Sequence, residues 1–204
     1  MMRKPNDYQD LITKLRRLAT PKKQVNDLMS YLLQHVEYDY EEFDKIKANS
    51  EIIAKFRNGP RDRIRGLAQM SFEEGVKFLG LAPMQGGIYK DGLLTKGVCK
   101  EFVAFIMQVC AELGIQNDHI RGAAAYKEGR LVHVWNKIKV HPKFQMLNYD
   151  ITNAITLRDG LRNNTEWALR QKTSPHDWLG ATDTRLAKLA PDMKVISIND
   201  VLVK

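Results

Sequence analysis

Apolar positions at helical spacing mark two amphipathic helices at the start of the chain. The first lies within residues 6–18, and the second follows Thr20-Pro21, an N-cap residue with proline in the first turn. The second stripe is unbroken and consists of Val25, Leu28, Met29, Leu32, Leu33 and Val36. The pattern therefore predicts a helical N-terminal segment over residues 1–58.

A third helical stripe lies in the middle of the sequence and stops at Gly114, a good C-terminal signal. Its apolar positions are Val98, Phe102, Phe105, Ile106, Val109 and Leu113. This spacing predicts a long core helix that carries Cys99 in its first turn.

After this helix the period of the pattern changes from 3.6 to 2, which predicts strands over residues 120–126, 131–140 and 144–151. Residues 127–130 and 141–143 are expected to form the turns between them. Helices followed by an antiparallel sheet give the α+β class.

The alternation places His133 on the same face of its strand as Leu131 and Trp135. A turn centred between His141 and Pro142 would pair His133 directly with Asp150 on the next strand. A turn shifted by one residue would move the partner by two. The pattern therefore favours this contact without fixing it.

The remaining stretches are less regular. Residues 41–82 predict short helices, and residues 83–97 form a glycine-rich loop that lacks the Gly-Lys-Ser/Thr ending of a phosphate-binding loop. Near the C-terminus we expect a helix within residues 157–169, a turn at 178–180, a helix at 184–189 and a strand at 195–198. With 204 residues and 44% apolar content, a single domain over residues 1–204 is expected.

The net charge is +8, which is compatible with nucleic acid, an anionic membrane or an acidic partner. The basic residues are dispersed, however, and are not interleaved with aromatic residues, so a solvated surface is favoured and no nucleic acid partner is predicted. No apolar run typical of a secretory signal or a membrane span is present. The expectation is a cytoplasmic protein without a membrane partner.

Two cysteines, Cys99 and Cys110, are present and no Cys-x-x-Cys pair occurs. Eleven residues apart on one helix, their sulfurs would share a face but lie about 16 Å apart, beyond disulfide reach. We interpret Cys110 as a core residue. No metal site and no cofactor is predicted.

Cys99 has a different environment, because a helix N-terminus offers unpaired N–H groups and a positive dipole end that favour a thiolate. The alternative interpretation is a small buried hydrophobe. A histidine on one strand and an aspartate on the next would complete a nucleophile, a base and an orienting group: Cys99, His133 and Asp150. The other four histidines fall on a helix or in loops, where structural roles are the default.

Three motifs in this order resemble those of the transglutaminase-like superfamily. They are Gly97-Val-Cys-Lys-Glu-Phe, His133-Val-Trp-Asn and Tyr149-Asp-Ile-Thr, and the resemblance covers about residues 22–155. It implies a papain-like α+β core, with the cysteine helix packed on an antiparallel sheet and the motifs within residues 97–155. It also implies acyl transfer through a thioester at Cys99, with Trp135 and Asn136 as packing and positioning groups.

An oxyanion hole needs two donors. The backbone N–H of Cys99 is one, and Gln85 or Tyr89 from the preceding loop could supply the other; the sequence does not select between them.

Departures from the family pattern are mild and include Val134 where alanine is common and Ile151 where proline often stands. A protein or peptide substrate is implied, and hydrolysis is favoured over glutamine transamidation. A non-catalytic peptide-binding module of the same fold is the third possibility, but all three triad residues are present.

Overall fold

The computed structural model describes residues 4–48, 93–126, 129–191 and 193–196. Within these ranges the helices are α1 (Tyr8–Arg16), α2 (Pro21–His35), α3 (Tyr40–Ala48), α4 (Cys99–Glu112), α5 (Ile151–Arg162), α6 (Glu166–Arg170) and α7 (Asp183–Leu189), with a 3-10 helix at Pro175–Trp178. The strands are β1 (Glu37–Tyr38), β2 (Lys96–Gly97), β3 (Asn117–Tyr126), β4 (Gly129–Ile138), β5 (Leu147–Tyr149), β6 (Leu179–Ala181) and β7 (Met193–Ile196). Helices and strands are mixed, which is compatible with an α+β fold class.

The described strands form two sheets. Five strands, in the order β6-β5-β4-β3-β7, make an antiparallel sheet with β4 and β3 near its centre. The short strands β1 and β2 pair in parallel, so that the end of α2 lies beside the residues that precede α4. The N-terminal helices are thereby connected to the start of the central helix.

One apolar core joins the N-terminal helices, α4, the sheet and α5. Helix α4 packs on β4 and β3, and its Phe105 meets the ring of Tyr8 from α1 edge-on, with 6.1 Å between ring centroids. Burial of aromatic and aliphatic side chains on both sides of α4 holds that helix in place.

The helix boundaries follow local capping chemistry. The Asp7 carboxylate accepts from the N–H of Asp10 to start α1. The Thr20 hydroxyl accepts from the Lys23 N–H to start α2, and the predicted N-cap at Thr20 is confirmed. Gly114 follows α4 at φ +66°, a backbone region that costs glycine little. The predicted end of the central helix is confirmed.

The pairing of β4 with β5 differs from the prediction. Asn136 pairs with Tyr149, so the centre of the turn lies one residue later than expected and the strand β5 ends at Tyr149. His133 and Asp150 are therefore not cross-strand partners. The reason is that Asp150 is the N-cap of α5, which begins at Ile151 rather than within residues 157–169.

Other expectations near the C-terminus are partly corrected. Residues 178–180, predicted as a turn, belong to the end of a 3-10 helix and to β6, although Gly180 does have a positive φ of +75°. The expected helix 184–189 is present as α7. The predicted short helices after residue 50, and the loop residues 83–92, lie outside the described residues.

Candidate active site

Cys99 is the first residue of α4, with Val98 as the N-cap residue. The Val98 N–H donates to the carboxylate of Glu101 at 3.0 Å, which fixes the start of the helix. Gly97 permits this arrangement, because a Cβ there would lie 2.9 Å from the Glu101 Cβ. The thiol of Cys99 is partly exposed, whereas that of Cys110 is buried.

His133 and Asp150 are in direct contact. His133 Nε2 lies 2.8 Å from Asp150 Oδ2, with the imidazole side chain 13% exposed and the carboxylate fully buried. The contact forms although the two residues are not paired in the sheet. The backbone of Asp150, at φ −96° and ψ 78°, leaves the strand direction, and its carboxylate reaches back to His133 while it caps α5.

The Cys99 side chain also acts on the His133 ring, and it favours the protonated imidazole both as a hydrogen-bond partner and as a charge. Since Nε2 faces Asp150, Nδ1 is the ring nitrogen left for the sulfur. Burial opposes protonation of this ring, but the Asp150 charge and the hydrogen bonds to Asp150 and Cys99 outweigh it and raise the pKa of His133 to about 10. The site therefore favours an imidazolium between two acidic groups.

Asp150 is held by groups that the sequence did not single out. Its Oδ1 accepts from the Asn153 backbone N–H at 3.1 Å, and its Oδ2 accepts from the Asn153 side-chain amide at 2.7 Å. The Asp150 N–H donates to the Trp178 carbonyl at 3.0 Å. The only sequence signal for these contacts is an aspartate that could cap a following helix.

Trp135 supports the other side of the imidazole. Its ring is stacked with His133, with centroids 5.7 Å apart and planes at 25°. The indole N–H donates to Asn148 Oδ1 at 3.0 Å, and the Asn148 amide donates to the Ala181 carbonyl and to Asp183. The two buried bonds, Trp135 to Asn148 and Asn148 to Ala181, join β4, β5 and β6, and the Asp183 contact adds α7.

Asn136 contacts the cysteine helix instead of the histidine. Its buried amide lies 3.3 Å from the Val103 carbonyl on α4 and 3.4 Å from Asn117 Oδ1. Asn136 therefore connects the sheet to α4.

The start of α4 provides one candidate oxyanion donor. As the first residue of α4, Cys99 has a backbone N–H that no carbonyl within the helix can accept from. Gln85 and Tyr89 lie outside the described residues.

The helix that Asp150 caps carries one further acidic residue. Asp159, the other acid on α5, pairs with Arg158 at 2.6 Å.

Among the described residues, no group of three or more His, Cys, Asp or Glu side chains could hold a metal ion. No helix in the described ranges is long and apolar enough to span a membrane.

No protein-family model matches the chain, and no curated protein sequence matches it.

Proposed function

We propose that this chain is a thiol-dependent acyl-transfer enzyme of the transglutaminase-like superfamily that hydrolyses a peptide or another amide. Cys99 is the nucleophile, His133 the acid and base, and Asp150 the orienting group. The observation that carries the proposal is the 2.8 Å contact between His133 Nε2 and the buried Asp150 carboxylate, on a ring whose pKa is also raised by the Cys99 side chain at the start of α4. Each of the three side chains has the chemistry its role requires.

The resting state in this proposal is a thiolate–imidazolium pair. The pKa of His133 is raised to about 10, chiefly because the Asp150 carboxylate outweighs the effect of burial, so the ring is protonated at neutral pH. Asp150 compensates the imidazolium charge through Nε2, and Nδ1–H faces the sulfur. The nucleophile is then ready without a separate deprotonation step.

Acylation begins when the thiolate attacks the carbonyl carbon of the substrate. A C–S bond forms, and the carbonyl π electrons move to oxygen, where the backbone N–H of Cys99 can donate to the developing charge. The tetrahedral intermediate then collapses, the C–N bond breaks, and His133 Nδ1 gives its proton to the departing amine. A thioester at Cys99 and a neutral imidazole remain.

Deacylation reverses the role of the histidine. Neutral His133 takes a proton from a water molecule as the water oxygen attacks the thioester carbonyl. Collapse of this second intermediate breaks the C–S bond, releases the carboxylic acid product, and restores the thiolate–imidazolium pair. All protons are accounted for by the histidine and the attacking water.

The packing of the chain supports the finer fold assignment within this proposal. Helix α4 packs on antiparallel strands β3 and β4, with the cysteine at its N-terminus and the histidine on β4, as in a papain-like core. We propose a single domain of this kind, acting in the cytoplasm on a protein or peptide substrate.

Hydrolysis is favoured over glutamine transamidation because, beyond the thioester chemistry that both routes share, it requires only water as the acceptor. Transamidation requires a primary amine to reach the thioester faster than bulk water does, and hence a second site that binds the amine and excludes water. Hydrolysis needs no second site of this kind.

The test is a mass-resolved product assay on a glutamine-containing peptide library, with and without an added alkylamine. Cleaved or deamidated peptides are expected from the wild-type chain and from Cys110→Ala, and none from Cys99→Ala. Amine-adducted glutamine as the main product would favour transamidation instead. Peptide binding without turnover, equal in the wild-type and Cys99→Ala chains, would favour the binding module.

A further inference from the structure

The carboxylate of Asp150 is clamped by a single residue. Asn153 donates its backbone N–H to Oδ1 at 3.1 Å and its side-chain amide to Oδ2 at 2.7 Å. Two donors from one residue, one on each oxygen, fix the rotation of the carboxylate about its Cβ–Cγ bond. A terminal carboxylate torsion is otherwise broad and has no strongly preferred angle.

The clamped orientation is the one that His133 uses. Oδ2, the oxygen that receives the Asn153 amide, also faces His133 Nε2 at 2.8 Å. The backbone contact to Oδ1 is ordinary helix capping. On its own it would allow Oδ2 to move away from the imidazole. The side-chain amide therefore has a function beyond capping.

We propose that Asn153 is a positioning residue for the Cys99–His133–Asp150 site, acting through Asp150 to hold Oδ2 against His133 Nε2. Asn153 lies in the third position of α5, partly buried, while Asp150 is fully buried. A buried anion requires donors for its oxygens, and the structure provides them from His133 and Asn153. The inference rests on the proposed function for its catalytic meaning, but its geometry stands apart from any substrate.

Loss of the amide is expected to weaken the contact between His133 and Asp150. The ionisable groups in contact with the His133 ring in the described part of the chain are Asp150 and Cys99. If the Asp150 contact loosens, the imidazolium loses part of its compensation and the ring releases its proton at lower pH. A residue with only a structural role would lower stability without moving this titration.

The test uses Asn153→Leu, which is close in shape, and Asn153→Ala, which favours the helix and avoids a steric clash. The His133 ring signal is followed against pH by NMR, with His133→Ala to assign it. The expected result is a midpoint lower by at least about one pH unit. For the turnover reaction, kcat is expected to fall roughly 10- to 100-fold, the range for losing one hydrogen bond to a charged group, with KM little changed.

Thr156→Val is the matched control. The Thr156 hydroxyl lies on the same helix and donates to the Asn153 carbonyl at 3.2 Å, so the substitution removes a neighbouring hydrogen bond without touching Asp150. Its His133 titration should equal that of the wild type. An unshifted titration in folded Asn153 variants, or an equal shift in Thr156→Val, would overturn the inference.

The titration needs no substrate, so failure of the inference is distinguishable from failure of the proposed function. If the His133 titration shifts in the Asn153 variants but the wild-type chain turns over no peptide, the positioning role of Asn153 stands and the proposed enzymatic function is wrong. If the wild-type chain turns over peptides but the titration does not shift in these variants, the proposed function stands and the positioning role is wrong.

Discussion

At the scale of the residue, the two cysteines provide a direct comparison within one helix. Cys99 is partly exposed and hydrogen-bonded to His133, whereas Cys110 is buried and burial raises the pKa of its thiol to about 12. Iodoacetamide reacts with accessible thiolates. At mildly acidic pH we therefore expect labelling of Cys99 well ahead of Cys110, measured by peptide mass spectrometry.

His133→Ala should slow the labelling of Cys99, because the cationic partner of the proposed pair is lost, whereas Cys110 stays buried and should be labelled slowly in both chains. Urea-unfolded protein, in which both thiols are accessible, provides the reference for equal labelling. Preferential labelling of Cys110 in the folded chain would contradict the assignment of the nucleophile.

Asp150→Asn tests the charge of the orienting residue while it preserves helix capping, since asparagine is an equally good N-cap. The amide favours the wrong imidazole tautomer and cannot compensate the imidazolium. We expect kcat to fall by roughly three to four orders of magnitude, as in the serine-protease triad. A near-normal rate would require another orienting acid, and Asp159 would be the first to test, although it pairs with Arg158.

The contact between His133 and Asp150 also predicts that the free energy of unfolding depends on pH. The pKa of His133 rises from 6.5 to about 10 on folding, so its contribution to stability is full below pH 6.5 and is lost as the pH rises through about 10. The stability difference between the wild type and Asp150→Asn should therefore shrink between pH 6.5 and 10.5. Urea unfolding monitored by circular dichroism measures it, and a difference that grew with pH would contradict the assigned sign.

At the scale of the element, α5 joins the site to the N-terminal helices. It begins at the Asp150 cap, and further along it carries Arg158, a buried guanidinium that donates to the Leu33 carbonyl in the last turn of α2 and pairs with Asp159 at 2.6 Å. Arg158 thus satisfies a helix-end carbonyl that has no partner within α2.

Arg158→Met is expected to lower the free energy of unfolding by about 3 kcal/mol, because it leaves Asp159 and the Leu33 carbonyl without this donor. The exposed Arg162 on the same helix provides the control, and Arg162→Met should change stability by less than about 0.5 kcal/mol. Equal effects of the two substitutions, measured by urea unfolding, would exclude the capping role of Arg158.

The helices and strands differ in how well the sequence predicts them. Long periodic stripes and capping residues suffice for α2 and α4, because their signals are local. The register of β4 with β5 is not local: it depends on where the turn closes, and Asn136 pairs with Tyr149 instead of the residue two positions earlier. Asp150 and His133 nevertheless meet, because helix capping turns the carboxylate back towards the sheet.

The supporting residues were missed for the same physical reason. Asn153 and Asn148 have side chains that turns, caps and strands all accept. The contact of Asn153 with Asp150 is local, but it requires a helix that starts at Ile151, which the apolar pattern did not mark. The partners of Asn148 come together only in the tertiary fold. Asn148 reaches Asp183 across 35 positions of the chain, a contact that no periodic pattern signals. The motifs pointed to Cys99, His133 and Asp150 together, whereas no pattern in the sequence pointed to the contacts of Asn148 and Asn153.

At the scale of the whole molecule, one buried apolar cluster extends from Tyr8 near the N-terminus to Leu186 near the C-terminus. Helix α1 contributes Tyr8 against Phe105 of the cysteine helix, and Arg16 pairs with Glu112 at the other end of that helix. The N-terminal helices therefore belong to the same core as the site, and we expect them to unfold with it.

Tyr8→Ala tests this expectation, because Tyr8 is fully buried and large aromatic truncations in a core cost about 3–5 kcal/mol. In a single cooperative unit, the substitution should lower the urea midpoint equally for circular dichroism, for tryptophan fluorescence and for exposure of the Cys110 thiol, which lies on α4. Tyr40→Ala, at a side chain that is 52% exposed, serves as the control and should leave all three midpoints nearly unchanged. If α1 formed a separate unit, Tyr8→Ala would lower the helical signal alone, and thiol exposure would keep its wild-type midpoint.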